Sequence, residues 1–125
     1  MDIVNRDAAT PFATKDTSLI REIVNPRNAS LRNQSLAEAT LLPGHTSTAH
    51  FHPRSEEIYY VLRGSAVMRL EDASSTLRAG DAVAIAPGCR HQIRNTGSDE
   101  LVFLCCCAPA YSHEDTVLCE SLFAD

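Results

Sequence analysis

From about residue 34 onward the chain is cut into short apolar segments separated at close intervals by turn residues. Segments 35–42, 47–52, 57–63, 65–71, 75–78, 82–86, 90–95 and 101–107 read as strands, and an earlier one is expected at 18–24. Strands at that spacing predict an antiparallel sandwich or barrel, an all-β fold. The glycines agree. Gly44, Gly64, Gly80, Gly88 and Gly97 all fall between the segments, in turn-like company such as Pro43-Gly44 and Gly80-Asp81. The run LVFLCCC, 101–107, is apolar at both parities, so both of its faces should be covered. Residues 1–17 carry little pattern and are expected as a loose arm, 26–33 as a loop, and the tail as irregular with a short helix near 114–122. The expected layout is an N-terminal arm and strand over 1–33, a barrel over 34–110 and a tail over 111–125.

A length of 125 residues fits one domain. With 44% hydrophobic and 22% charged residues, the composition is that of an ordinary soluble globular protein. The formal net charge is -5 and no lysine or arginine cluster occurs, which argues against a nucleic-acid partner and against an anionic membrane surface. A small molecule is the partner left standing. The N-terminus lacks the apolar run of a signal peptide, so the expected location is cytoplasmic. Of the five cysteines, three stand together in an apolar run and read as buried, reduced thiols; a C-x-x-C pair is absent.

The chemistry concentrates in the centre of the chain. In a strand, residues two apart share a face, so His50 and His52 project to the same side, spaced to share an ion. Glu57 follows a short proline-containing turn and opens the β-prone segment IYYVLR, which would return it toward the two histidines. His91 lies just beyond the Pro87-Gly88 turn, at the head of another strand. Three imidazoles and one carboxylate suit Mn, Fe, Co, Ni, Cu or Zn.

These two segments resemble the two motifs of the cupin superfamily. The first motif is glycine, five residues, His-x-His, three or four residues, glutamate, six residues, glycine; Gly44, His50, His52, Glu57 and Gly64 match it. The second is glycine, five residues, Pro-x-Gly, two residues, histidine, three residues, asparagine; Gly80, Gly88, His91 and Asn95 match, with the proline displaced by one position to Pro87. The resemblance implies a double-stranded β-helix (jelly-roll) barrel with one divalent metal ion on His50, His52, Glu57 and His91. Glu56 competes with Glu57 for the carboxylate role, but the spacing to Gly64 selects Glu57. Strand alternation carries Tyr59 and Val61 to the face of Glu57, Ile93 to that of His91 and Thr48 to that of His50. Thr48, Val61, Ile93 and Phe103 are the expected substrate pocket, with Tyr59 a candidate proton or hydrogen-bond donor. Arg69 is left without an assigned face.

Two function classes fit this site. One is a metal-dependent enzyme acting on a small organic molecule, by oxygenase chemistry or by isomerase or lyase chemistry. The other is a non-enzymatic cupin that binds or senses a small ligand such as a sugar, with the metal as structural glue. Strand edges need cover, and small cupins resemble one another in forming two-fold dimers, so a homodimer is expected.

Overall fold

The computed structural model describes residues 1–124. Among the described residues, eleven strands form two antiparallel sheets. The six-stranded sheet has the order β1 (Phe12–Ala13), β2 (Leu19–Val24), β3 (Ser35–Leu41), β10 (Leu101–Ala108), β5 (Glu56–Arg63), β8 (Ala82–Ile85). The five-stranded sheet runs β11 (Val117–Leu118), β4 (His50–Phe51), β9 (His91–Asn95), β6 (Ser65–Leu70), β7 (Ala73–Arg78). This is the all-β double-stranded β-helix expected from the sequence. No helix among the described residues is long and apolar enough to cross a membrane.

Alternation explains the core. Along β5, Glu57, Tyr59 and Val61 are buried while Ile58, Tyr60 and Leu62 are exposed. The inward residues of the larger sheet, Ala39, Leu41, Tyr59, Val61, Leu101 and Phe103, meet Ala66, Met68, Leu77 and Ile93 of the smaller one. Burying one such large apolar side chain contributes about 1.5–3 kcal/mol, so this layer supplies the main driving force for closing the barrel. Arg69 has the parity opposite to buried Ala66 and Met68 and points away from the core.

Two turns need their particular residues. Gly64 has φ +96°, and a Cβ there would lie 2.8 Å from the Glu100 carbonyl oxygen, so the β5–β6 hairpin excludes side chains at this point. Asn95, 1% exposed, donates from Nδ2 to the carbonyls of Leu41 and Asp99 and accepts from the Gly97 amide, tying the end of β9 to the end of β3 and to the loop that follows β9.

Several expectations are corrected. Segment 47–52 is a strand only at His50–Phe51, because the amides before it bond outside any regular ladder: Ser47 N to Ile93 O and Thr48 N to Asp16 O. Residues 1–17 are not a loose arm. They hold a 3-10 turn (Arg6–Ala8) and β1, and Arg6 clasps the Glu38 carboxylate of β3 at 2.9 Å. The tail forms β11 against β4 in place of a helix. Leu122 N and the Ser121 hydroxyl both donate to Gln92 Oε1, which seals the tail onto β9. The sheets therefore extend on both sides of the 34–110 span.

Candidate metal centre

His50 and His91 sit directly opposite each other on β4 and β9 of the smaller sheet. His52 follows on the same face, and Glu57 reaches across from β5 of the larger sheet. All four side chains are buried, and one ligand atom from each lies within 4.8 Å of the others. Glu57 Oε1 is 3.3 Å from His52 Nε2 and 3.4 Å from His91 Nε2.

The hydrogen bonds behind the rings fix their orientation. Nδ1 of His50 lies 2.9 Å from Thr48 O, that of His52 3.1 Å from Asp115 O, and that of His91 2.9 Å from Cys89 O. A carbonyl can only accept, so each Nδ1 carries the hydrogen, and in the neutral ring each Nε2 is a bare lone pair. Those lone pairs converge on one point. Glu57 Oε1 and His91 Nε2 have no hydrogen-bond partner among the described residues, although both are buried. Acceptors facing one another in a dry site are unfavourable unless a cation lies between them. Two donors placed at right angles, each about 2.1 Å from an ion, stand about 3 Å apart, close to the separations seen here. The donor set thus fits a divalent metal.

Electrostatics agree. Burial pushes the Glu57 carboxyl up, but the facing His52 and His91 pull it further down, well below its ordinary value. Burial and the neighbouring His91 lower His50. For His52, burial lowers the pKa, but Glu57 and the Asp115 carbonyl outweigh it, and the net shift is upward.

The centre borders a cavity of about 590 Å³, counting the part open to solvent. The floor is laid down in rows by strand register: Glu57, Cys107 and Ser35; then Tyr59, Cys105, Ala37 and Glu22; then Phe103, Ala39 and Ile20. Of the residues expected in the pocket, Tyr59 and Phe103 line this cavity. Tyr59 stands edge-on to His91 at 5.7 Å, and burial, then the nearby Glu57, hold its phenol protonated. Val61 and Ile93 belong to the packed core, and Thr48 supplies a carbonyl to His50 in place of a wall. Alternation assigned their faces but not their depth along the barrel.

Sequence reasoning missed four supporting residues. Asp16 lies 3.7 Å from His50 Nδ1 and accepts from the Thr14 hydroxyl and from the Ser18 amide and hydroxyl. The run Thr14–Ser18, rich in Ser, Thr and Asp, is the local signal that could have marked it. The Asp115 carbonyl accepts the hydrogen bond of His52 Nδ1–H, and its carboxylate caps the turn before Glu57, accepting from the Arg54 and Ser55 amides at 3.0 Å each. Tyr111 stands edge-on to His52 at 6.0 Å. Cys107 donates its thiol to Glu57 Oε2 at 3.1 Å.

Comparison with known proteins agrees with this geometry. The cupin domain family matches residues 37–107. The chain belongs to the cupin family. Uncharacterized protein MJ1618 of Methanocaldococcus jannaschii is 43% identical over 114 residues, covering 91% of each chain. Tetracenomycin polyketide synthase protein TcmJ of Streptomyces glaucescens is 31% identical over 62% of this cupin and 52% of its own length. This cupin therefore spans about half of that relative. A solved structure from Thermotoga maritima, described as a predicted oxalate decarboxylase, superposes with a TM-score of 0.76 at 25% identity, covering 86% of this cupin and 98% of that chain.

Proposed function

We propose that this cupin is a metal-dependent enzyme acting on a small organic molecule, by oxygenase or by isomerase or lyase chemistry. The observation that carries the reading is the convergence of the buried His50, His52 and His91 rings with an unpartnered Glu57 Oε1 beside a cavity. Structural metal sites are closed by protein, whereas catalytic ones keep a position for substrate or water. Here the four protein donors come from the barrel wall and the cavity lies beside them. Bound there, a divalent ion of the Mn, Fe, Co, Ni, Cu or Zn group would act as a Lewis acid toward a substrate oxygen. The chain's own residues do the rest. Phe103, Ala39 and Ile20 exclude water from the inner wall, and the protonated Tyr59 offers a hydrogen-bond donor beside His91. A relative named for polyketide synthesis and a neighbour described as a predicted oxalate decarboxylase support small-molecule chemistry as the class.

The test is His91→Ala. The variant is expected to fold, with a β-type circular dichroism spectrum, and to lose stoichiometric metal together with turnover of any substrate found by screening the metal-loaded protein. An unfolded His91→Ala protein would make the metal structural glue and favour a binding module; a folded, fully active one would refute the metalloenzyme reading.

A further inference from the structure

We infer that the cavity above the metal centre selects an uncharged, oxygen-bearing planar ligand over a carboxylate, with Asp16 setting that preference. The inference rests on the metal-centre reading above and adds the charge of its ligand. Among the described residues, the cavity is bordered by the carboxylates Asp16, Glu22 and Glu57 and by no lysine or arginine. Glu22 is offset by Arg27, 2.6 Å away at the exposed mouth. Among the described residues, Asp16 has no lysine or arginine partner. Its carboxylate is held by the Thr14 hydroxyl and by the amide and hydroxyl of Ser18, with His50 Nδ1 at 3.7 Å. His50 gives its Nδ1 hydrogen to Thr48 O and is a neutral ligand when it binds an ion. A divalent ion supplies two positive charges, and Glu57 and Asp16 each supply one negative charge, so the loaded site is neutral. A carboxylate entering it would add an uncompensated charge in a largely dry space, where Coulomb repulsion is weakly screened.

The apolar walls Phe103, Ala39 and Ile20 form one rank across β10, β3 and β2, a surface suited to a flat ring. The ligand chemistry is therefore an enol, phenol, hydroxyketone or amide whose oxygen faces the centre and whose ring or chain lies along that wall.

The experiment uses the full chain loaded with Co²⁺, read by its visible absorption, and titrated with salicylamide and salicylate. These rings share an outline and a chelating oxygen pair and differ by one negative charge. Free Co²⁺ favours the anion, so a reversed order is the protein's doing. Wild type is expected to bind salicylamide at least tenfold more tightly, and Asp16→Asn to narrow the gap by on the order of tenfold. Glu22→Gln, at a carboxylate already paired, is expected to leave the order unchanged. Tighter salicylate binding in wild type, no response to either ligand, or an unaltered gap in folded Asp16→Asn would each overturn the inference. The wild-type order decides even where Asp16→Asn fails to fold. Missing cobalt bands would sink the metal centre and this inference with it, whereas normal bands with salicylate preferred would sink the charge selection alone.

Discussion

Replacing Cys107 by alanine tests how the carboxylate ligand is held. Cys107 is 2% exposed and lies opposite Glu57 in the β10–β5 register. Its Sγ donates to Glu57 Oε2 at 3.1 Å, leaving Oε1 to face His52 and His91. Burial, then the adjacent Glu57, push the thiol well up, so the donor hydrogen is retained across the neutral range. Alanine removes the only hydrogen bond that Oε2 makes among the described residues. Outer partners of metal ligands are typically worth 10–100-fold in metal affinity, or about 1.4–2.7 kcal/mol. A thiol is a weak donor, so the expected loss is nearer about tenfold. Cys107→Ser keeps a donor and should stay within about threefold of wild type, since only the donor atom changes. Cys105→Ala is the control, because Cys105 lines the same cavity without bonding a ligand residue. Competition titration of Co²⁺ or Zn²⁺ against a chromophoric chelator measures each affinity, with circular dichroism confirming the fold. A folded Cys107→Ala protein that binds metal as tightly as wild type would refute the positioning role.

Three further outcomes are expected. Without an ion, the His52 imidazole is raised above its ordinary value near 6.5, because the pull of Glu57 and of Asp115 exceeds the push of burial. Near that pH, metal must therefore displace a proton, and affinity should rise with pH through the raised pKa; calorimetry in buffers of different ionisation enthalpy should show proton release, and buffer-independent heats would contradict this. Gly64→Ala forces a Cβ to within 2.8 Å of Glu100 O at φ +96°. Its cost should be about 1–3 kcal/mol, visible as a melting temperature lower by several degrees, and an unchanged value would show that the hairpin can relax. The homodimer expected from the sequence would cover the outer face of the larger sheet, where Ile58, Tyr60 and Leu62 are exposed beside the half-buried Val102 and Leu104; light scattering should give twice the 13.6 kDa chain mass, and a monomer at micromolar concentration would end that reading.

Local rules sufficed for much of the site. The period of two in a strand puts His50 and His52 on one face, the short turn before Glu57 returns it toward them, and the resemblance to the cupin motifs adds His91, so the clustered set was legible in the sequence. The same period placed most strands within a residue or two, because each apolar segment ends at a turn residue that the backbone needs there. Depth along the barrel was not legible. Val61 and Ile93 share the parity of pocket residues yet sit in the packed core, because alternation reports a face and says nothing of which cross-strand rank is open. Contacts between distant segments were equally hidden. Cys107 meets Glu57 across 50 residues and Asp115 braces His52 across 63, through strand registers that only the closed sheets define. Asp16 reaches His50 because β1 and β2 join the larger sheet, which the weak pattern of residues 1–17 gave no means to foresee. Motif spacing marks the side chains that can hold an ion, whereas their surroundings emerge only on folding, because charge, hydrogen bonding and wall shape are set by segments that meet when the barrel closes.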